Sequence, residues 1–358
     1  MTTIVRVPTT SARAVATVLI ASYLEPEHVE QIRRVDARVN VLYRPDLLAP
    51  PRYPADHKGA EFTRTPEQEA EWRGLLARAH VLFDFDRSHP RDLPTVAPQV
   101  DWIQATSAGI GEYVSQMGYA TSWPRTVLTT ASGVHAQPLA EFCFMVMFAF
   151  HKQLLRTMQD QRRKHWERFA GVDLRDQVLV IVGVGRVGTE VARMGQAFGM
   201  RVIGVKRTPS GASPQDLHLD VLYGPGDLQR ALAEAQNLVL IAPHTAETEG
   251  MIGAAEIALL PAGAVFINIG RGALVDEPAL VAALQSGHLL GAGLDVFREE
   301  PLPSSSPLWE MDNVIVSPHS ASTSARENAR ITDLFCANLR RYLDGRPLLN
   351  QFDAALGF

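Results

Sequence analysis

The sequence predicts an α/β protein of two parallel-sheet domains, one inserted in the other, with a cleft between them. Three observations carry this. Short apolar, β-branched runs alternate with helical patterns along most of the chain, the rhythm of βαβ units whose sheet is covered on both faces. A glycine turn, IVGVGRVG, joins one such run to a helix in mid-chain. The texture changes near residues 129–137, and a final helix near 324–343 is unlike anything in the glycine-turn region. The economical layout is a first domain of residues 1–132 plus 321–358, interrupted by a dinucleotide-type domain of residues 133–320.

Taken in order, ATVLIAS (16–22) reads as the first strand. Arg6 and Arg13 precede AVATVLIASYL, which could imitate a signal peptide, but the apolar part is short and no small-residue cleavage pattern follows. EPEHVEQIRRV (25–35) reads as a helix. Residues 49–65 are rich in proline and polar side chains and read as a long surface loop; 65–79 follow as an acidic-start helix. HVLFDF (80–85) and WIQATS (102–107) are further strands. Asp84, Phe85, Asp86 and Arg87, at the end of HVLFDF, either border a pocket or form a solvated loop. From Pro138 a long helical pattern runs through FCFMVMFAFHKQLLRTMQDQRRKHW. Its first half is apolar nearly all round, which implies a buried helix. Six strand-like runs come next: QVLVIV before the glycine turn, then RVIGV (201–205), NLVLIA (237–242), AVFINIG (264–270), GAGLDVF (291–297) and NVIVSPH (313–319).

Composition narrows the function classes. The 358 residues are 46% hydrophobic and 20% charged, with a formal net charge of -5 and no long basic run, so nucleic-acid binding has little support. No apolar run reaches the roughly 18 residues of a membrane span. Cys143 and Cys336, both in apolar helix-like stretches, argue against a disulfide framework or a zinc site. The expectation is a cytoplasmic protein without a structural metal.

Gly183, Gly185 and Gly188, with Arg186 and Val187 between them, form G-x-G-x-x-G between a strand and a helix. The first glycine permits the tight turn, the second lets the backbone approach a pyrophosphate, and the third allows close helix–strand packing. An acidic residue ordinarily ends the second strand of such a domain and binds the ribose 2′-hydroxyl. Here that place holds Lys206 and Arg207, followed by Thr208. A guanidinium matches a phosphate bidentately, so these residues favour NADP(H), with NAD(H) still possible.

Three strands of this domain end in groups that could do chemistry. AVFINIG runs into Arg271, GAGLDVF carries Asp295 and leads to Glu299-Glu300-Pro301, and NVIVSP runs into His319. In open parallel sheets ligands bind beyond the carboxyl ends of the strands. A cation there could hold a substrate carboxylate and polarise a carbonyl; an imidazolium could protonate a forming alkoxide; a carboxylate would orient the imidazole.

On these residues the chain resembles the D-isomer-specific 2-hydroxyacid dehydrogenases. The matching stretches are VGVGRVG, NIGRGALVDEPAL, GAGLDVFREEPLP, SPLW and NVIVSPHSA, with TASGVHAQPLAE and WIQATSAGI resembling the hinge and first-domain segments. The likeness covers roughly residues 100–358 and the first hundred only in outline, where the loop at 44–65 is unlike a compact family member and would shape the substrate mouth. It implies Rossmann-like domains, the first flavodoxin-like, and a cleft that closes during hydride transfer. It further implies catalytic roles for Arg271, Glu300 and His319 and a nicotinamide contact for Asp295. Pro243 and His244 would form a cofactor wall, and Ser107, Ala108 and Gly109 would offer backbone N–H groups to a substrate carboxylate. Lys206-Arg207 is similar to the NADPH-using glyoxylate/hydroxypyruvate reductase branch. A small 2-keto or 2-hydroxy acid as substrate, and a homodimer through the helix after Pro138, are expected. The alternatives are a short NAD-dependent D-3-phosphoglycerate dehydrogenase, for which Arg87 is the one obvious phosphate ligand, and a non-enzymatic dinucleotide-sensing corepressor-like protein.

Overall fold

The computed structural model describes residues 14–354 and 357; Arg6 and Arg13, weighed above as a leader's basic end, lie outside the described residues. The chain divides into two units. The first runs to Val134 and resumes at Thr323; the second is His135–Ser322.

In the first unit β1 (Ala16–Ile20) leads to α1 (Pro26–Arg33) and β2 (Val39–Leu42). After the 44–65 segment come α2 (Pro66–Leu76), β3 (Val81–Phe83), α3 (Leu93–Val96) and β4 (Trp102–Gln104). Two short helices, α4 (Gly111–Met117) and α5 (Tyr119–Ser122), precede β5 (Val127–Thr129). α2 starts where the sequence puts it because Thr65 and Gln68 form a reciprocal capping box. Among the described residues these strands make one parallel sheet of order β2-β1-β3-β4-β5. One face packs Trp102 and Phe83 against Phe335 of the returning C-terminal helix; the other packs Leu19, Leu82 and Ile103 against Trp72 and Tyr119. The sequence reading passes over β2 and β5. They are edge strands of four and three residues, too short for an alternation to stand out.

The second unit begins with α6 (Ala136–His151) and α7 (Leu154–Arg163). The single long helix expected after Pro138 is therefore two. Gln153 adopts left-handed φ 54, which no continuing helix tolerates. The apolar half also has a plain explanation within its own unit. Gly291 and Gly293 open a groove in the sheet, where β-carbons would meet the Phe150 ring at 2.2 Å and Val146 at 2.4 Å. α6 lies in that groove, and its buried side chains need no second subunit.

The rest of the unit is β6 (Val178–Val182), α8 (Arg186–Ala197), β7 (Arg201–Val205), β8 (Val221–Tyr223), α9 (Leu228–Leu232), β9 (Asn237–Leu240) and α10 (Ala254–Leu259). It ends with β10 (Ala264–Asn268), α11 (Glu277–Gln285), β11 (Leu289–Leu294) and β12 (Val314–Val316), before α12 (Glu327–Leu343) returns to the first unit. Among the described residues the sheet is parallel, of order β12-β11-β10-β9-β6-β7-β8. The order reverses between β6 and β9, so the crevice for a ligand lies beyond their carboxyl ends. No helix of the described residues is long and apolar enough to cross a membrane.

Candidate active site

The glycine turn sits at that reversal, and each glycine has a distinct reason. Gly183 has φ 107, and a β-carbon on it would lie 2.6 Å from the Ala242 backbone nitrogen, so the loops after β6 and β9 touch only because it has none. A β-carbon on Gly188 would lie 2.5 Å from the Gly183 carbonyl oxygen, so this glycine lets α8 pack close to its own turn. At Gly185 nothing stands within 4 Å of the β-carbon position. Protein packing does not require a glycine there; an approaching ligand would. α8 opens at Arg186 after Gly185 with no side-chain cap, leaving first-turn N–H groups and the positive end of the helix dipole for an anion. The turn therefore fits a dinucleotide pyrophosphate.

Lys206 and Arg207 follow β7, as the sequence places them. The half-buried Lys206 ammonium donates to the Val184 carbonyl inside the glycine turn at 2.7 Å. The lysine thus braces the turn, a task its position in the sequence did not announce, while Arg207 and Thr208 are exposed. On the wall after β9, Pro243 and His244 are exposed; His244 Nε2 pairs with Glu249, which also accepts from Arg298 at 3.4 Å.

The three chemical groups follow three neighbouring strands, β10, β11 and β12. Arg271 is half-buried after β10. Its Nη1 donates to the Gly270 carbonyl at 2.8 Å, and Asn268 accepts from Gly270 N–H and donates to the Arg271 carbonyl, fixing the turn. Gly272 explains why the arginine is followed by glycine: a β-carbon would lie 1.9 Å from the Phe297 carbonyl carbon. This close approach locks the arginine turn to the loop that carries Glu300. There Glu300 Oε1 accepts from Phe297 N–H at 3.1 Å and Oε2 meets His319 Nδ1 at 2.8 Å. A carboxylate only accepts, so Nδ1 carries a proton and Nε2 is left for a substrate. Both side chains are solvent-accessible.

His319 has φ 54, left-handed for a residue with a β-carbon. What holds it is Asp295, which is 2% exposed. Its Oδ1 accepts from Ser317 Oγ at 2.6 Å, Ser320 N–H at 2.8 Å and Ala321 N–H at 2.9 Å, on both sides of the histidine. Burial pushes the Asp295 carboxyl above its ordinary pKa despite these donors. The resemblance gives Asp295 a nicotinamide contact; the structure adds a clamp on the histidine turn. Sequence reasoning missed Asn268 and Ser317, whose roles lie in bonds to backbone and carry no motif.

In the first unit Ser107, Ala108 and Gly109 form an exposed turn after β4, tied by Ser107 O accepting from Ala131 N–H at 3.0 Å. The four residues at the end of β3 separate. Phe85 joins the core and stacks on Tyr119 at 5.9 Å. Asp84 and Asp86 are each 1% exposed, which rules out a simple solvated loop; Asp86 and Arg87 line a cavity.

Residues 144–321 match the family model described as D-isomer specific 2-hydroxyacid dehydrogenase, NAD binding domain. The chain is similar to glyoxylate reductase from Aeropyrum pernix, 32% identical over 71% of this chain and 77% of the relative. It is also similar in structure to a D-isomer specific 2-hydroxyacid dehydrogenase from Xanthobacter autotrophicus Py2 solved with NADPH and MES (TM-score 0.74, 26% identity, 95% of this chain and 100% of that one). A third likeness is to the NADPH-dependent glyoxylate/hydroxypyruvate reductase from Sinorhizobium meliloti, solved with NADP and sulfate (TM-score 0.73, 25% identity, 96% and 100%).

Proposed function

Because the chain belongs to the D-isomer specific 2-hydroxyacid dehydrogenase family, we propose that it reduces small 2-keto acids of the glyoxylate or hydroxypyruvate kind to D-2-hydroxy acids, with NADPH preferred over NADH. The observation that carries this reading is the His319–Glu300 hydrogen bond at 2.8 Å beside the Arg271 turn. The names of the relatives, and the NADPH and NADP held by two structural neighbours, support the substrate class and the cofactor.

When bound, the dinucleotide supplies the hydride. Arg271 binds the substrate carboxylate and draws electron density from its carbonyl. By the resemblance, the backbone N–H groups of 107–109 are donors for a substrate carboxylate. His319 Nε2 gives its proton to the forming alkoxide, and Glu300 keeps the ring oriented and supports the imidazolium before transfer. Arg207, with Thr208, holds the 2′-phosphate; Lys206 keeps its bond to Val184 and contributes charge. Two copies of the chain pair through the exposed apolar side chains of α7 and the segment after it, Leu154, Met158, Trp166 and Phe169.

NAD(P)H oxidation with a keto-acid panel tests the proposal. His319→Gln loses about 100-fold or more in turnover with NADPH binding retained. Arg207→Ala weakens NADPH and leaves NADH unchanged. A fully active His319→Gln enzyme, or an unaltered cofactor ratio, removes the corresponding assignment.

A further inference from the structure

The turn 107–109, proposed above to offer N–H groups to a substrate carboxylate, follows β4, and the way the chain leaves the sheet shows what holds it. In the parallel ladder Gln104 pairs with Thr129, and Ala105 N–H donates to the Thr129 carbonyl at 2.8 Å. Regular pairing would next bring Ala131 N–H to the Ala105 carbonyl. Instead Ala131 N–H donates to the Ser107 carbonyl at 3.0 Å, so the chain bulges out of the sheet between Ala105 and Ser107. The Ala105 carbonyl, on a buried residue, thereby loses its ladder partner. Gln104 Nε2 takes it at 3.0 Å. A side-chain amide thus stands in for the neighbouring strand at the point where the turn begins.

The orientation of that amide follows from a backbone donor. Leu349 N–H meets Asn338 Oδ1 at 2.7 Å, which turns Asn338 Nδ2 toward the Leu349 carbonyl and Gln104 Oε1, each at 3.1 Å. Gln104 Oε1 also accepts from Thr129 Oγ1 at 2.9 Å, and Thr129 Oγ1 in turn accepts from Trp102 Nε1 at 2.8 Å. With two donors on its oxygen, Gln104 presents its Nε2 to the Ala105 carbonyl. Gln104, Thr129 and Asn338 are all fully buried, where a polar group is unfavourable unless it is bonded. The bonds run from the segment after α12 through Asn338 and Gln104 to the first carbonyl of the turn, wholly within the first unit.

We propose that Gln104 is a positioning residue for the substrate: its amide, oriented by Asn338, fixes the Ala105 peptide and with it the direction of the N–H groups at 107–109. This rests on the reading of that turn as a carboxylate site. A carboxylate is held alike in the ground and transition states, so loosening the turn raises KM for the keto acid and leaves kcat. The glycine turn and Arg207 lie in the other unit, so KM for NADPH is spared.

Gln104→Met keeps the length of the side chain and removes the donor. For the best keto acid of a panel, KM should rise about tenfold, with kcat and the KM for NADPH within about twofold of wild type. Hydrogen exchange without substrate should be about tenfold faster at the Ala131 amide, whose bond to Ser107 closes the turn. Thr129→Val is the control. It removes a bond of the same network and lowers the melting temperature, but it leaves Gln104 on the Ala105 carbonyl, so KM should stay at the wild-type value. Should Gln104→Met fail to fold, Gln104→Asn, which draws the amide back by one methylene, is measured in the same two ways. A keto-acid KM unmoved by loss of the Gln104 donor, unaltered exchange at Ala131, or an equal rise of KM in Thr129→Val overturns the role of Gln104. If wild type turns over no keto acid, the activity proposed above falls, and exchange at Ala131 still decides whether Gln104 sets the turn.

Discussion

Replacement of Asp295 separates what holds the histidine turn from what holds the fold. Three donors converge on its Oδ1 from Ser317, Ser320 and Ala321. A hydrogen bond to a charged group is worth about 1.5–3 kcal/mol, so the three set an upper bound of about 4–9 kcal/mol. An opposing effect comes from burial, which raises the Asp295 pKa more than the donors lower it. A folded-state pKa above the unfolded value means that this group's contribution is present below the unfolded pKa and lost as pH rises through the folded one. Where the carboxylate is ionised, its buried charge is therefore itself a cost, which Asp295→Ala removes along with the bonds. The net loss of stability should be only about 1–3 kcal/mol. Turnover should fall further, by about 100-fold, because the left-handed His319 loses its clamp and a misplaced catalytic group costs that much. Asp295→Asn keeps an acceptor oxygen without the charge; it should melt no lower than wild type at pH 8 and retain more turnover than the alanine variant. Thermal melting at pH 5 and 8, with NADPH-oxidation kinetics on the same preparations, measures both. An alanine variant with wild-type kcat would refute the reasoning.

Gly272→Ala places a β-carbon 1.9 Å from the Phe297 carbonyl carbon, so the Arg271 turn and the Glu300 loop must part; kcat should collapse with a stability loss of about 1–3 kcal/mol, and an active variant with an unchanged melting curve would contradict the close approach. His89, held between Asp86 and Glu69 with Arg64 and Arg73 also facing Glu69, has a pKa raised first by its bond to Asp86. Its stabilisation is full below the unfolded histidine value of about 6.5 and fades as pH rises through the folded one. The melting gap between wild type and His89→Gln should accordingly narrow from pH 6 to pH 9; a gap that widens would sink this reading. If the proposed pairing holds, Trp166→Glu, at a residue 94% exposed, should lower the mass from dimer to monomer in light scattering behind size exclusion; a monomeric wild type, or a variant of unchanged mass, would refute that pairing.

How much of this the sequence disclosed depended on what kind of interaction each residue makes. The glycines of the turn were legible because their reasons are local: a positive φ at Gly183 and a helix packed close at Gly188 leave few alternatives to glycine. Arg271, Glu300 and His319 were legible because parallel sheets place strand ends on one rim, so three chemical residues after three strands already imply proximity. The Asp295 clamp was not legible, since two of its three donors are backbone N–H groups, which every residue offers. Nor was the bracing role of Lys206, whose partner Val184 is 22 residues earlier and contributes only a carbonyl. The helix after Pro138 misled for a different reason. Apolar periodicity continues across Lys152–Gln153, while the break depends on one backbone angle.

The 44–65 segment shows how such a gap arises. By composition it is a loop, and a loop of that length within a domain ordinarily implies either function or disorder. Composition cannot separate the two, because proline, glycine and polar residues serve both. What separates them is where the polar groups point. Asp56 gathers three backbone N–H groups of its own loop, which organises the segment without help from the sheet. Arg64 then fastens the far end across Trp72 to Ser88. The order of the segment thus comes from side chains that take up its own N–H groups and from one arginine that ties its far end, and neither device shows in composition.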